Sequence, residues 1–155
     1  MDHIVYLDYN AKELENLKSG EKTMIIRGAM GRKLPYGRIE NGDILYFIEN
    51  NGDGIIKAKG IAQNVFCSGK LTKEESVSLV DSYGDKLMLD SGLKKRFRGK
   101  RYLVLITIKD FEEIEPFGFS KQEFTNMDDW LPVGEIESVK GGRGKLEDAC
   151  LTNVS

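Results

Sequence analysis

Residues 19–28 read SGEKTMIIRG. Gly20 supplies the left-handed residue that ends a helix, so TMIIR at 23–27 can begin as a strand directly after it. The helix it ends spans 11–19, opened by a capping box with Asn10 as N-cap and Glu13 three residues on, and it buries Ala11, Leu14 and Leu17. A first strand, HIVYLDY at 3–9, precedes it. A hydrophobic run bounded by Gly20 and Gly28 needs no charge to fold, yet this one carries Lys22 and Arg27 at its ends. Either the two cations snorkel to water, or they are aimed at an anion.

Downstream, GAMGRKLPYGR at 28–38 reads as a binding loop, rich in glycine and cations. Asn41-Gly42 is a turn signal. DILYFIE at 43–49 and IIKAKGIAQNVF at 55–66 form a β-hairpin across NNGDG. Thr72 and Glu75 give a second capping box, opening a helix over 73–83, and a further short helix falls in 85–97. YLVLITI at 102–108 is the most strand-like run and continues through Phe111 to Ile114. Beyond Pro116 the chain reads as irregular, with a helical turn at Ser120-Lys121-Gln122-Glu123 and an anchor at Trp130-Leu131-Pro132. Five or six strands with two or three helices and no regular βαβ alternation imply an α+β domain with a largely antiparallel, strongly curved sheet, a small closed or half-closed barrel. One domain is expected over 1–140, with a tail at 141–155 that begins in the GGRGK run.

The length of 155 residues suits one core that needs no covalent staples. The start, MDHIVYLDY, has neither a basic n-region nor an apolar run long enough to span a bilayer, so a cytoplasmic location is expected. Cys67 and Cys150 lie in no CxxC pair and read as free thiols. His3 is the only histidine, which excludes two-histidine zinc motifs and argues against a Ser-His-Asp triad. No Walker loop is present: Gly20-Glu21-Lys22-Thr23 interrupts the Gly-Lys-Thr run, and Gly144-Lys145 is followed by Leu146. No cofactor is indicated.

A formal net charge of −2 conceals an asymmetry. Lys22, Arg27, Arg32, Lys33 and Arg38 are the charged residues between 22 and 38, with no acid among them. KKRFRGKR at 94–101 holds six basic residues in eight: Lys94, Lys95, Arg96, Arg98, Lys100 and Arg101. Between Asp110 and Glu137 there are nine carboxylates against one lysine, Lys121. Separate basic and acidic surfaces let a chain hold a polyanion on one side while remaining near neutral overall.

Gly20, Lys22, Thr23 and Arg27 in GEKTMIIR, with Gly42-Asp43 opening a hydrophobic strand, resemble the ASCH family of the PUA-like superfamily over roughly residues 3–115. The resemblance implies a β-barrel with a cleft lined by the motif's lysine and arginine, in a group linked to RNA binding and, in some members, to catalysis on nucleic acids or nucleosides. The family pattern Gly-x-Lys-x-x-Glu-x-Arg has its glutamate where this chain has Ile25. In the acetylcytidine amidohydrolase branch, similar to Lys-Thr-x-Thr-x-Arg over this strand, the lysine serves as base and the second threonine as nucleophile; that threonine is again Ile25. Thr23 does not replace it, because a two-residue shift along a strand moves a side chain by about 6.6 Å.

The resulting expectation is an RNA- or nucleotide-binding domain without catalysis. Lys22, Thr23 and Arg27 line the cleft, the loop and cluster cations meet phosphates, and Tyr36 or Phe97 stacks on a base. The alternative is an enzyme, an amidohydrolase or ribonuclease, with Lys22 as base and Asp43, Glu74 or Glu75 as acid. For Asp43 the competing reading is turn geometry, and for the two glutamates a helix first turn. The acidic 110–137 segment is a candidate protein-binding surface.

Overall fold

The hydrophobic run after Gly20 folds as its pattern dictates. Helix α1 (Glu13–Ser19) ends at Gly20, whose φ of 85° lets its N–H reach back to the Leu17 carbonyl, and β2 (Met24–Ala29) follows. The computed structural model describes residues 1–119 and 129–139. The turn expected at 120–123, the GGRGK run, Cys150 and the tail lie outside the described residues.

Besides β2, the strands are β1 (Asp2–Leu7), β3 (Ile44–Glu49), β4 (Ile55–Cys67), β5 (Tyr102–Gly118) and β6 (Trp130–Gly134). They form one sheet in the order β2-β5-β4-β3-β1-β6. Every pairing is antiparallel except that of β1 with β3. Register shifts recur between the long strands β4 and β5 at Ile56/Ala58, Lys59/Ile61 and Ala62/Asn64. Each such irregularity adds twist, and the sheet curls into a half-barrel.

Continuous apolar runs arise because β2 and β5 are buried on both faces. Ile25, Val104 and Ile106 face the concave core with Val5, Phe47 and Trp130. Met24, Ile26, Leu103 and Leu105 face the helices and pack on Val80, Leu87, Leu93 and Phe97. Those helices are α2 (Lys73–Ser82), α3 (Gly84–Leu87) and α4 (Ser91–Phe97). The Thr72–Glu75 capping box is present in full at α2. No helix among the described residues is long and apolar enough to cross a membrane.

Three local readings are corrected. Asn10 does not cap α1: Lys12 occupies that position in left-handed geometry with no side-chain cap bond. Glu13 instead accepts from the Asp8 backbone N–H, while Asp8 Oδ1 accepts from Ala11 N–H. The segment read as one helix over 85–97 is split into α3 and α4, because Asp90, extended and accepting from Leu93 N–H, starts a new cap. That gives four helices among the described residues with defined bounds, more than the expected two or three. Trp130-Leu131-Pro132 is part of an edge strand, β6, paired with β1. Its short length and its proline hid it, since the strand is specified by pairing with a segment over a hundred residues away.

Candidate functional site

Both strand-end cations are inside the protein. Lys22 is 1 % exposed and Arg27 5 % exposed, so the snorkelling alternative is excluded. Lys22 stands two residues before β2 and Arg27 within it, and the two side chains reach different partners. Lys22 Nζ donates to the Leu87 carbonyl at the end of α3 and lies 3.3 Å from Glu13 Oε2. Burial lowers the Lys22 pKa, with Arg27 adding to the effect and Glu13 opposing it. Arg27 reaches the end of the barrel. Its Nη1 donates to the Ile26 carbonyl at 2.7 Å and its Nη2 to the Tyr6 carbonyl at 2.6 Å, while the guanidinium lies 5.7 Å from the centroid of a Trp130 ring.

One donor is left over. Arg27 Nε is buried and has no hydrogen-bond partner among the described residues. Asp129 Oδ2 stands 3.5 Å from it, and Arg96 Nη2 approaches the same oxygen at 3.4 Å. These groups border a cavity of about 20 Å³ together with Tyr6, Asp8, Glu13, Asn50, Leu93 and Phe97, a volume that suits roughly one water. Glu13 thus joins the two cations, being paired with Lys22 and bordering the cavity beside Arg27. Thr23 is half-buried at the strand start; its N–H donates to the Lys86 carbonyl and its carbonyl accepts from Ile108 N–H. Ile25 is fully buried in the barrel core.

The two basic segments meet where β2 ends and β5 begins. A Cβ on Gly28 would stand 2.6 Å from Leu103 Cδ2 and 3.4 Å from Lys100 Cβ, so any larger residue would force the buried Leu103 side chain to shift. Arg32 lies over the rings of Tyr36 and Tyr102, at 5.8 and 5.5 Å from their centroids. Those rings meet edge to face, and the Tyr36 hydroxyl donates to the Ser68 carbonyl. Tyr36 is therefore half-buried and committed to packing, with Arg32 rather than the ring outermost. Arg32, Lys33, Arg38 and Arg101 are exposed, and Lys100 is partly so.

Lys94, Lys95 and Arg96 occupy exposed positions of α4. Phe97, 2 % exposed, belongs to the helix-side core and does not present a face for a base. Arg98 forms a bidentate pair with Asp81, both contacts at 3.0 Å. The cluster is thus divided: Arg96 turns toward the cavity of Arg27, Arg98 toward α2, and Lys100 lies beside Gly28, while Arg101 is exposed.

Asp43 and His3 are structural neighbours of Trp130. The indole N–H of Trp130 donates to His3 Nδ1 at 3.0 Å, so Nε2 carries the proton and donates to Asp43 Oδ2 at 2.8 Å. Burial lowers the His3 pKa against the opposing pull of Asp43. Burial alone would raise the Asp43 pKa, but hydrogen bonds from His3 and the Glu40 N–H hold it below its ordinary value. Far from fraying, the N-terminal strand is fixed by this buried chain of side chains. Asp43 keeps the turn as well as His3.

The residues missed at the site are Asp8, Glu13, Asn50 and Asp129. Glu13 carried a legible signal, because a carboxylate four residues before the buried Leu17 lies on the apolar face of α1 and invites a buried cation. Asp129 sat in the acidic run assigned to the surface, and only the strand pairing of Trp130 turns it inward.

Among solved structures, the chain is similar to ASCH from Zymomonas mobilis, with 16 % identity, a TM-score of 0.64, and 91 % of this chain and 93 % of that one covered. A mutant of the same protein matches with 13 % identity and a TM-score of 0.64, over 88 % of this chain and 93 % of that one. The chain has the ASCH fold. The wider likeness of this ASCH fold extends to the N-terminal domain of McrB from Staphylothermus marinus, at 8 % identity and a TM-score of 0.50, over 92 % of this chain and 94 % of that one. No protein-family model and no curated protein matches the sequence.

Proposed function

We propose that this ASCH-fold chain is a non-catalytic domain, spanning 1–140, that binds RNA or a nucleotide. A phosphate is taken beside Arg27 and Arg96, and the backbone continues over Arg32, Lys33, Arg38, Lys100 and Arg101. The observation that carries the reading is the buried Arg27 guanidinium, fixed by two carbonyls, with a buried Nε that has no hydrogen-bond partner and a side chain that borders a cavity lined by polar groups. A fixed planar fork recognises phosphate by geometry as well as charge. The surrounding exposed cations supply a sequence-independent grip. Short single-stranded RNA should bind with an affinity that falls steeply with salt, and replacing Arg32, Lys100 and Arg101 by glutamine should flatten the slope by roughly 0.7 for each phosphate no longer neutralised. Titrations at several ionic strengths check this; affinity indifferent to salt, or none, sinks it.

A hydrolytic reading draws on one observation, the buried Lys22–Glu13 pair with its lowered lysine pKa, a base and an acid near one cavity. Against it, Lys22 is occupied by Glu13 and the Leu87 carbonyl, and Ile25 offers no nucleophile. Turnover of acetylcytidine or of RNA by the unmodified protein would reinstate it.

A further inference from the structure

We propose that Asp129 is a built-in competitor for the anion site: its carboxylate holds the place between Arg27 and Arg96 that a ligand's phosphate oxygen takes, and binding displaces it. The inference rests on the binding reading above and adds to it the group that sets the affinity. Four observations support the displacement. The two contacts of Asp129 Oδ2, 3.5 Å to Arg27 Nε and 3.4 Å to Arg96 Nη2, are longer than the usual charge-assisted hydrogen bond. One oxygen serves both arginines: Arg96 Nη2 donates to it while Arg27 Nε is left without a hydrogen bond, whereas a phosphate can give each its own oxygen. The Asp129 side chain is 34 % exposed, so it has water to turn into. Its backbone is held by the Tyr6 N–H to Asp129 carbonyl bond of 3.0 Å, so the exchange needs only a side-chain rotation.

Size favours the exchange. The cavity of about 20 Å³ suits one water, and a departing carboxylate adds room for a phosphate oxygen. Charge sets its sign, because a carboxylate that stays beside the phosphate repels it and one that leaves gives up two arginine contacts. Either way the wild-type protein binds anions more weakly than its arginines alone would allow.

The test uses inorganic phosphate and a short single-stranded RNA, with the full chain. Asp129→Asn should bind phosphate about tenfold more tightly than wild type, the effect expected on removing a like charge within a few ångströms. The gain should vanish when Arg27→Lys is added, and Asp81→Asn, which frees Arg98 at the surface, should leave phosphate affinity unchanged. Should Asp129→Asn not fold, the unmodified protein still answers: the Asp129 carboxyl carbon resonance should shift as phosphate is added, and a resonance that stays put overturns the proposal. A folded Asp129→Asn that binds phosphate no more tightly also overturns it, as does an equal gain from Asp81→Asn. If wild type binds RNA, and Arg27→Lys weakens it while Asp129→Asn brings no gain, this inference alone fails. If no variant binds RNA, the reading beneath it fails as well.

Discussion

Arg27 and Arg98 stand in segments that look alike as sequence, each a cation beside large hydrophobic residues, and the fold treats them oppositely. The glycine-containing segment around Arg98 suggests a diffuse, movable charge, yet that arginine is clasped by Asp81 in two contacts of 3.0 Å. Being 40 % exposed in its side chain, that pair contributes little to stability. Arg27 lies inside the barrel end with a donor unsatisfied. A buried guanidinium left incompletely paired costs free energy, and on that ground the proposed site is placed at Arg27 rather than at the well-paired surface Arg98. Pairing, not charge, is what separates the two arginines.

The sharpest way to break this contrast is to attack the other buried cation. Glu13→Leu should leave Lys22 charged and short of a partner, destabilising the fold by about 3–5 kcal/mol, whereas Glu13→Leu with Lys22→Met should recover most of that loss. Urea unfolding of both variants decides it. Equal losses would mean that the cost lies in the bond Glu13 accepts from the Asp8 N–H and not in an unpaired Lys22.

Arg27→Lys keeps the charge and loses the planar fork. Binding of a short oligonucleotide should weaken by roughly 1–3 kcal/mol, read by calorimetry on protein shown to be folded. A loss no larger than that of Arg98→Lys would return Arg27 to a purely structural role.

A third effect separates the terminal strand from both arginines. Native His3 is neutral, with its pKa below the ordinary 6.5, so below that pH the unfolded chain takes up a proton that the native protein does not. Stability should therefore fall as pH drops through 6.5 toward the folded value, with a slope approaching about 1.4 kcal/mol per pH unit. His3→Gln should be less stable but flatter over that window, as followed by unfolding at a series of pH values. A slope unchanged by the substitution would detach His3 from the acid response. Smallest of all, Arg98→Lys should alter neither RNA affinity nor stability by more than about 0.5 kcal/mol, and a larger change in affinity would place a second specific contact at α4.

The sequence by itself determined the hairpin of β3 and β4, the end of α1 at Gly20, the capping box of α2 and the long runs of β2 and β5, because turn chemistry, caps and hydrophobic runs are local and act over a few residues. It also marked Lys22 and Arg27 as odd for their place, and it located the departure at Ile25. The tertiary structure alone decided where those cations point. Glu13 meets Lys22 only when α1 folds against β2, and Asp129 meets Arg27 and Arg96 only when β6 pairs with β1 across more than a hundred residues. Phe97 read as an aromatic among cations, and the packing of α4 on β2 and β5 took its ring away. Burial and ion pairing depend on the three-dimensional neighbours of a side chain, which no local pattern in the chain records.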